Sequence, residues 1–345
     1  MYPRPRTMNP IALALIGLVV CVALFSSMPS SKPFLSNWVP PGVANSISQP
    51  GALVGALTAQ VTVEAGTTAL ERYNQASQLH ESVGDGLVRY YTRSLPNGGT
   101  LAYFVVMLDD QVHLEVINAD GATPSSDETG NTIWADRQQH LATVEEMVQA
   151  PYSQRNGMQL LGAMAFGFHG GERTSNEGTV VINGTVHRIN PWRATLCIQG
   201  HYAKIGLFDA EQVQGCDQAI GAGPVILWNG KVANTDVQAE TDAFVPFNPL
   251  NEDFAQLDWR KKIYNGTYPK TVVGIGARED GRSYLVMAVS NGVTGVELAS
   301  QLRAMGCFSA LGGDDDTSTQ AIWRGNRVFG HTVREVPDAI GIYIR

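Results

Sequence analysis

From Leu87 onward the apolar positions recur mostly at strand spacing. Leu87 to Ser94, Thr100 to Leu108 and Gln111 to Ile117 read as strands, the last two closed into a hairpin by a tight Asp109-Asp110 turn. Val112, Leu114 and Val116 alternate with His113, Glu115 and Ile117, the pattern of a half-buried antiparallel strand, which places His113 on the surface or opposite a neighbouring strand. Further strands are predicted at Leu160 to Gly171, Thr179 to Ile182, Ala194 to Ile198, Ala203 to Phe208, Gly221 to Trp228 and Tyr284 to Val289. Asn183-Gly184 and Asn229-Gly230 are hairpin turn signals. They explain Asn183-Gly184-Thr185, and likewise Asn265-Gly266-Thr267, better than glycosylation does.

Helical spacing is rarer. Ala142 to Ser153 predicts a short helix that Pro151 ends or kinks. At Thr294 a capping box with Glu297 opens a second helix, whose apolar face is Val296, Leu298, Ala299, Leu302 and Met305 and whose stop is Gly306. A brief strand from Phe308 to Leu311 follows. The fold class is α+β: strand-rich mixed or antiparallel sheets with a few flanking helices.

That last strand delivers Gly312-Gly313-Asp314-Asp315-Asp316-Thr317-Ser318-Thr319. Glycine, aspartate and hydroxyl residues compete with regular backbone bonding, so this stretch is a loop, and its carboxylates are the densest chemistry in the chain.

Composition adds bounds. The 345 residues carry a net charge of −8, 44% hydrophobic and 16% charged residues, 36 glycines and 17 prolines. Such a chain buries a large core, and its acidity argues against nucleic acid as partner. Residues 1–10 hold Arg4 and Arg6, and residues 11–28 carry no charge, so 11–28 predicts either an uncleaved transmembrane anchor, the preferred reading, or a signal peptide, with the rest outside the cytoplasm in the periplasm or at the cell surface. Residues 29–84 read as a linker with a possible stalk helix from Thr67 to Val83, and 85–345 as the folded domain. Outside the cytoplasm Cys197 and Cys216 could pair, leaving Cys307 free.

The glycine-flanked strands and the acidic loop resemble, in order and content, the phosphodiester glycosidase family. Ala163 to His169 is similar to the family's Ala-Ile-Asn-Gly-Gly-Phe-Phe, Ile220 to Pro224 to its Val-Gly-Gly-Gly-Pro, and Lys270 to Gly274 to its Arg-Thr-Ala-Ile-Gly. Glu297-Leu298-Ala299 resembles its Glu-Leu-Ala helix. Ala310 to Gln320 aligns without a gap on Ala-Leu-Asn-Leu-Asp-Gly-Gly-Gly-Ser-Thr-Thr, keeping Asp314, Ser318 and Thr319, and Arg334, Val336, Asp338 and Ala339 resemble its closing Arg-x-Val-x-Asn-Ala. The departures fall at polar positions: Asn becomes Ala165, Arg becomes Lys270, and the triple glycine becomes Asp315-Asp316-Thr317.

The resemblance implies hydrolysis of a sugar-1-phosphodiester in a surface polysaccharide or glycoconjugate. That reaction needs an anion anchor and a group that handles protons or the developing charge on the sugar. Lys270 is then the anchor, Asp314 the acid, base or charge-stabilising carboxylate, and His169 an auxiliary proton donor. Gly167, Gly221, Gly223, Ser318, Thr319 and Arg334 bind substrate, with glycine amides at Gly221 to Gly223 and Gly312-Gly313 approaching the phosphate. Two alternatives stand beside it. Asp315 and Asp316 could hold a metal such as calcium, otherwise no cofactor is implied. The altered residues also suit a glycan-binding or envelope-assembly protein that has lost catalysis.

Overall fold

The structure, a computed structural model, describes residues 68–119, 140–168, 178–233, 247–252, 266–330 and 332–345. In chain order the strands are β1 (Gln78–Val83), β2 (Val88–Ser94), β3 (Thr100–Met107), β4 (Val112–Asn118), β5 (Gln159–Ala165), β6 (Val180–Ile182), β7 (Thr185–Arg188), β8 (Thr195–Gln199), β9 (Tyr202–Gly206), β10 (Gln218–Gly221), β11 (Val225–Trp228), β12 (Lys231–Val232), β13 (Lys270–Ala277), β14 (Ser283–Asn291), β15 (Ser309–Gly312), β16 (Ala321–Trp323), β17 (Asn326–Phe329) and β18 (Asp338–Ile344). They form an eight-stranded sheet, β1-β2-β3-β14-β13-β15-β11-β12, and two five-stranded sheets, β7-β6-β10-β8-β9 and β17-β16-β5-β18-β4. Every described pair is antiparallel, so the sheets are not mixed.

One core, including Phe104, Met164, Phe166, Leu196, Val273, Leu311 and Ile340, is shared by all three sheets. A second cluster covers the other face of the large sheet, where helix α2 (Gly295–Ala304) packs Leu298, Ala299 and Leu302 over β15, β11 and β12. Thr294 caps α2 in the expected box with Glu297, and Gly306 follows with φ +81°. Gly274 and Gly276 make this packing possible, because a Cβ at either would lie 2.8 Å from Cys307 Sγ or 2.0 Å from the Tyr284 ring. A third cluster sits under helix α1 (Val144–Gln149), capped by Thr143 and followed by a 3-10 turn from Pro151.

Two expectations change. Asp109-Asp110 is a turn, with Val112 N–H donating to Asp109 O at 3.1 Å, but β3 and β4 do not pair: β3 joins the large sheet and β4 pairs with β18. Local turn chemistry looks the same whether the chain folds back on itself or changes sheet. The possible stalk helix is short: residues 68–74 are helical, and Gln78–Val83 is the edge strand β1 paired with β2, so the sheet begins before residue 85. Its burial pattern is almost wholly exposed, which removes the apolar alternation that reveals a strand. No helix among the described residues is long and apolar enough to cross a membrane, and the 11–28 segment lies outside them. Cys197 and Cys216 form a disulfide that ties β8 to the chain entering β10, and Cys307 is buried and free.

Candidate active site

β15 runs between β11 and β13, and its end sets the acidic loop. Gly313 N–H donates to Thr271 O at 2.9 Å, and Asp314 N–H donates to Phe166 O at 2.9 Å, which joins the large sheet to the end of β5. A Cβ on Gly313 would lie 2.7 Å from the Phe166 ring, so only glycine allows this approach. The chain then makes a 3-10 turn over Asp316–Ser318, with Asp316 N–H bonded to Pro269 O at 2.8 Å. The loop is therefore pinned on both sides, to β13 and to β5.

Asp314 is 2% exposed. Its Oδ2 accepts a bond from Arg334 Nη2 at 2.9 Å, its Oδ1 accepts the Asp315 N–H at 3.0 Å, and Arg334 Nε donates to Ser318 Oγ. Arg334 approaches from solvent with its side chain 42% exposed. Its segment is held by Gln320, which donates to Arg334 O at 2.7 Å and accepts the N–H of Val144 at the start of α1. Beside this pair lies a second. Lys270, 3% exposed at the start of β13, has Nζ 3.8 Å from Asp315 Oδ2 and 3.7 Å from the centre of the Tyr268 ring. Burial pushes Lys270 down to about 8, against the pull of Asp315 and Asp316. Burial raises Asp315 to about 7, opposed by Lys270. Two carboxylates and two cations thus alternate around one short loop.

The structure brings together Asp314, Asp315, Lys270, Ser318, Thr319 and Arg334. Thr319 is buried, its hydroxyl accepting from Thr271 at 3.4 Å. His169 lies outside the described residues. The glycine amides do not form a phosphate cradle, because they already donate within the protein: Gly221 to Thr179 O at 2.6 Å, Gly223 to Gly312 O at 2.8 Å, Gly312 to Pro224 O at 3.0 Å, and Gly167 to Asp338 Oδ1 at 3.0 Å. Gly221 serves close backbone packing instead, since a Cβ there would lie 2.4 Å from Thr179 N. Ala165, where the family pattern has Asn, packs in the apolar cluster under α1. Asp315 faces Lys270, and no group of three or more His, Cys, Asp or Glu suited to a metal occurs among the described residues.

Three supporting residues escape sequence reasoning. Buried Glu252 accepts the N–H groups of Ala194 and Val225, each at 3.1 Å, and burial holds its carboxyl above the usual range. Buried Arg193 stacks 5.4 Å over Phe168. Gln320 anchors Arg334 through its backbone carbonyl. Glu252 and Arg193 sit in irregular segments where charged residues read as solvated, and no periodic pattern marks them as buried.

The chain is similar in structure to a hypothetical protein from Synechocystis, with TM-score 0.54, 11% identity, and coverage of 75% of this chain and 62% of that one, so it spans less than two thirds of that protein. It is also similar to the catalytic domain of zebrafish N-acetylglucosamine-1-phosphodiester alpha-N-acetylglucosaminidase, auto-inhibited by its pro-peptide, with TM-score 0.52, 14% identity, and coverage of 78% and 89%. At such identities the likeness speaks for the fold alone. No curated protein matches in sequence. The family model for phosphodiester glycosidase matches residues 158–343, which takes in β5, Lys270, the acidic loop and Arg334. By that match over more than half its length, this chain belongs to the phosphodiester glycosidase family of hydrolases.

Proposed function

We propose that the chain hydrolyses the bond between a sugar's anomeric carbon and a phosphodiester oxygen, in a surface polysaccharide or glycoconjugate outside the cytoplasm. The observation that carries this reading is the buried Asp314 carboxylate, gripped by Arg334, one residue from the Lys270–Asp315 pair. An anionic phosphodiester needs cations, and a sugar ring developing positive charge needs a fixed carboxylate close by. Lys270 and Arg334 supply the former. Arg334 directs Nε and Nη2 at Ser318 and Asp314, and a guanidinium has five donors in all. Asp314 supplies the latter. Water adds to the anomeric carbon as the carbon–oxygen bond to phosphate breaks, the electron pair leaving with the phosphate monoester and the water proton passing to a carboxylate of the loop.

The Cys197–Cys216 disulfide supports an oxidising, extracytoplasmic location, and the uncharged 11–28 segment supports attachment to a membrane. No cofactor is required by this chemistry, and calcium is tested by addition and chelation. The competing reading, a glycan-binding or envelope-assembly protein without catalysis, is favoured by one observation: Lys270 and Arg334 both already face carboxylates of the loop.

The deciding experiment offers the full chain N-acetylglucosamine-1-phosphate diesters and a panel of other sugar-1-phosphate diesters, with and without calcium, beside Asp314→Asn. Release of free sugar that Asp314→Asn lacks supports hydrolysis. Absence of release from every substrate by folded protein transfers the reading to glycan binding.

A further inference from the structure

Tyr268, Pro269 and Lys270 lead the chain into β13. Proline fixes its own φ and confines the residue before it to extended backbone, where residues i and i+2 project to one face. The Tyr268 ring and the Lys270 side chain are therefore neighbours by local geometry, and Lys270 Nζ lies 3.7 Å from the centre of the ring. The backbone on both sides of Tyr268 is tied: Thr267 O accepts the Gly292 N–H at 3.1 Å, just past β14, and Pro269 O accepts the Asp316 N–H at 2.8 Å. Tyr268 itself is half-buried, and Lys270 is buried.

A lysine at this position needs such a hold. Where the family pattern has Arg, this chain carries its charge on a single atom at the end of a flexible stem, with no planar fork to fix it. Asp315 does not lock the ammonium, since 3.8 Å from Nζ to Oδ2 exceeds a charge-assisted hydrogen bond, and opposite Lys270 on β14 stands the uncharged Ser290. An aromatic face attracts a cation within about 6 Å, most strongly where both are shielded from water. The ring carries no net charge, so it stabilises the ammonium without cancelling the field that an anion feels. It opposes the burial that lowers Lys270, in the same sense as Asp315 and Asp316 of the loop.

We infer that Tyr268 is a positioning residue, whose ring face holds the Lys270 ammonium in place and in its charged form. The inference rests on the proposed hydrolysis only for the anion that Lys270 then meets. Tyr268 acts through the lysine and touches no substrate in this role.

The test is an NMR titration of the full chain carrying 13C at lysine Cε. The chain has six lysines, and Lys270→Arg identifies the resonance. The Lys270 Cε protons are expected upfield of the remaining lysines, shifted by the ring they lie over, and to titrate at about 8. Tyr268→Leu removes a stabiliser of the charged form, so it is expected to abolish the upfield shift and to lower the midpoint by about half to one unit. Tyr268→Phe is expected to recover both, because the ring and not the hydroxyl makes the contact. The alkaline limb of kcat/KM moves down with the midpoint. Tyr268→Met carries the same expectation where the leucine variant does not fold. A midpoint that the loss of the ring leaves unchanged or raises, or that Tyr268→Phe fails to recover, overturns the inference. The titration requires no turnover: a midpoint that moves as expected in a chain that hydrolyses no diester would sink the proposed reaction and leave the hold of Tyr268 on Lys270 standing, and hydrolysis with an unmoved midpoint would do the reverse.

Discussion

Lys270 Nζ and Asp315 Oδ2 lie 3.8 Å apart, with the lysine side chain 3% and the aspartate side chain 15% exposed. Burial draws their titrations toward each other, Lys270 to about 8 and Asp315 to about 7. Below about 7 the aspartate takes a proton and the ammonium is left to hold an anion. Between about 7 and about 8 the two charges engage each other, and above about 8 the ammonium is lost.

The sign of the pH effect follows. Because the Lys270 value is lowered, its charge is complete below about 8 and disappears as pH rises through that value, so kcat/KM for a diester is expected to fall about tenfold per unit above it. Lys270→Arg keeps its charge and removes the alkaline limb. Asp315→Asn removes both a competitor and a support for the ammonium, so KM drops near neutrality and the limb moves to lower pH. An alkaline limb that Lys270→Arg leaves in place would exclude Lys270 as the anchor.

Arg334 has a different role, since it holds Asp314 and Ser318 together from the solvent side. Arg334→Ala leaves a buried carboxylate without its cation, a loss of about 1–2 kcal/mol once the exposure of the arginine is allowed for. The catalytic loss is expected to be larger, about 10²-fold in kcat. Arg334→Lys restores the charge with one bond and is expected to recover stability more than turnover. Equal recovery of both in kinetics and thermal unfolding would reduce Arg334 to a structural residue.

Gly313 tests whether the loop must be held against β5. The Cβ of Gly313→Ala would meet Phe166 O at 2.8 Å as well as the ring, and backbone does not yield cheaply. The loop is expected to lift, weakening the Asp314 N–H bond to Phe166 O, with about 1–3 kcal/mol lost in unfolding and a fall in kcat. Turnover at the wild-type rate would show that the tether does not position Asp314.

The parts of this arrangement that the sequence discloses are the local ones. Thr294 with Glu297, the Asn183-Gly184 and Asn229-Gly230 turns, the apolar strands and the glycine approach to Asp314 each carry their cause within a few residues. What it hides is pairing at a distance. The Asp109-Asp110 turn does not say which sheet β4 enters, because that depends on β18, at the other end of the chain. The glycines suggest amides open to phosphate only until Thr179, Gly312 and Asp338 are seen to accept them. Lys270 reads as an ordinary cation until Asp315 is seen opposite, since neither burial nor a partner more than forty residues away has a local signature.

Glu81, on the exposed edge strand β1, accepts Trp323 Nε1 at 2.6 Å and is paired with Arg324 at 2.6 Å, so β1 bridges the large sheet to β16. Trp323 also stacks on Phe104, 5.3 Å between ring centres, in the shared core. Removing residues before 85 therefore strips a strand from β2 and leaves the Trp323 N–H without its carboxylate. A chain starting at residue 67 is expected to unfold as the full chain does, and one starting at 85 to lose several degrees in thermal midpoint, because each kcal/mol shifts a domain of this size by about 2–4 °C. Glu81→Ala in the chain starting at 67 separates the two causes: it keeps β1 but removes the acceptor of Trp323 Nε1 and the partner of Arg324, and is expected to lose only a minor part of what the truncation loses. Equal midpoints for the chains starting at 67 and 85 would return the boundary to residue 85 and make β1 dispensable.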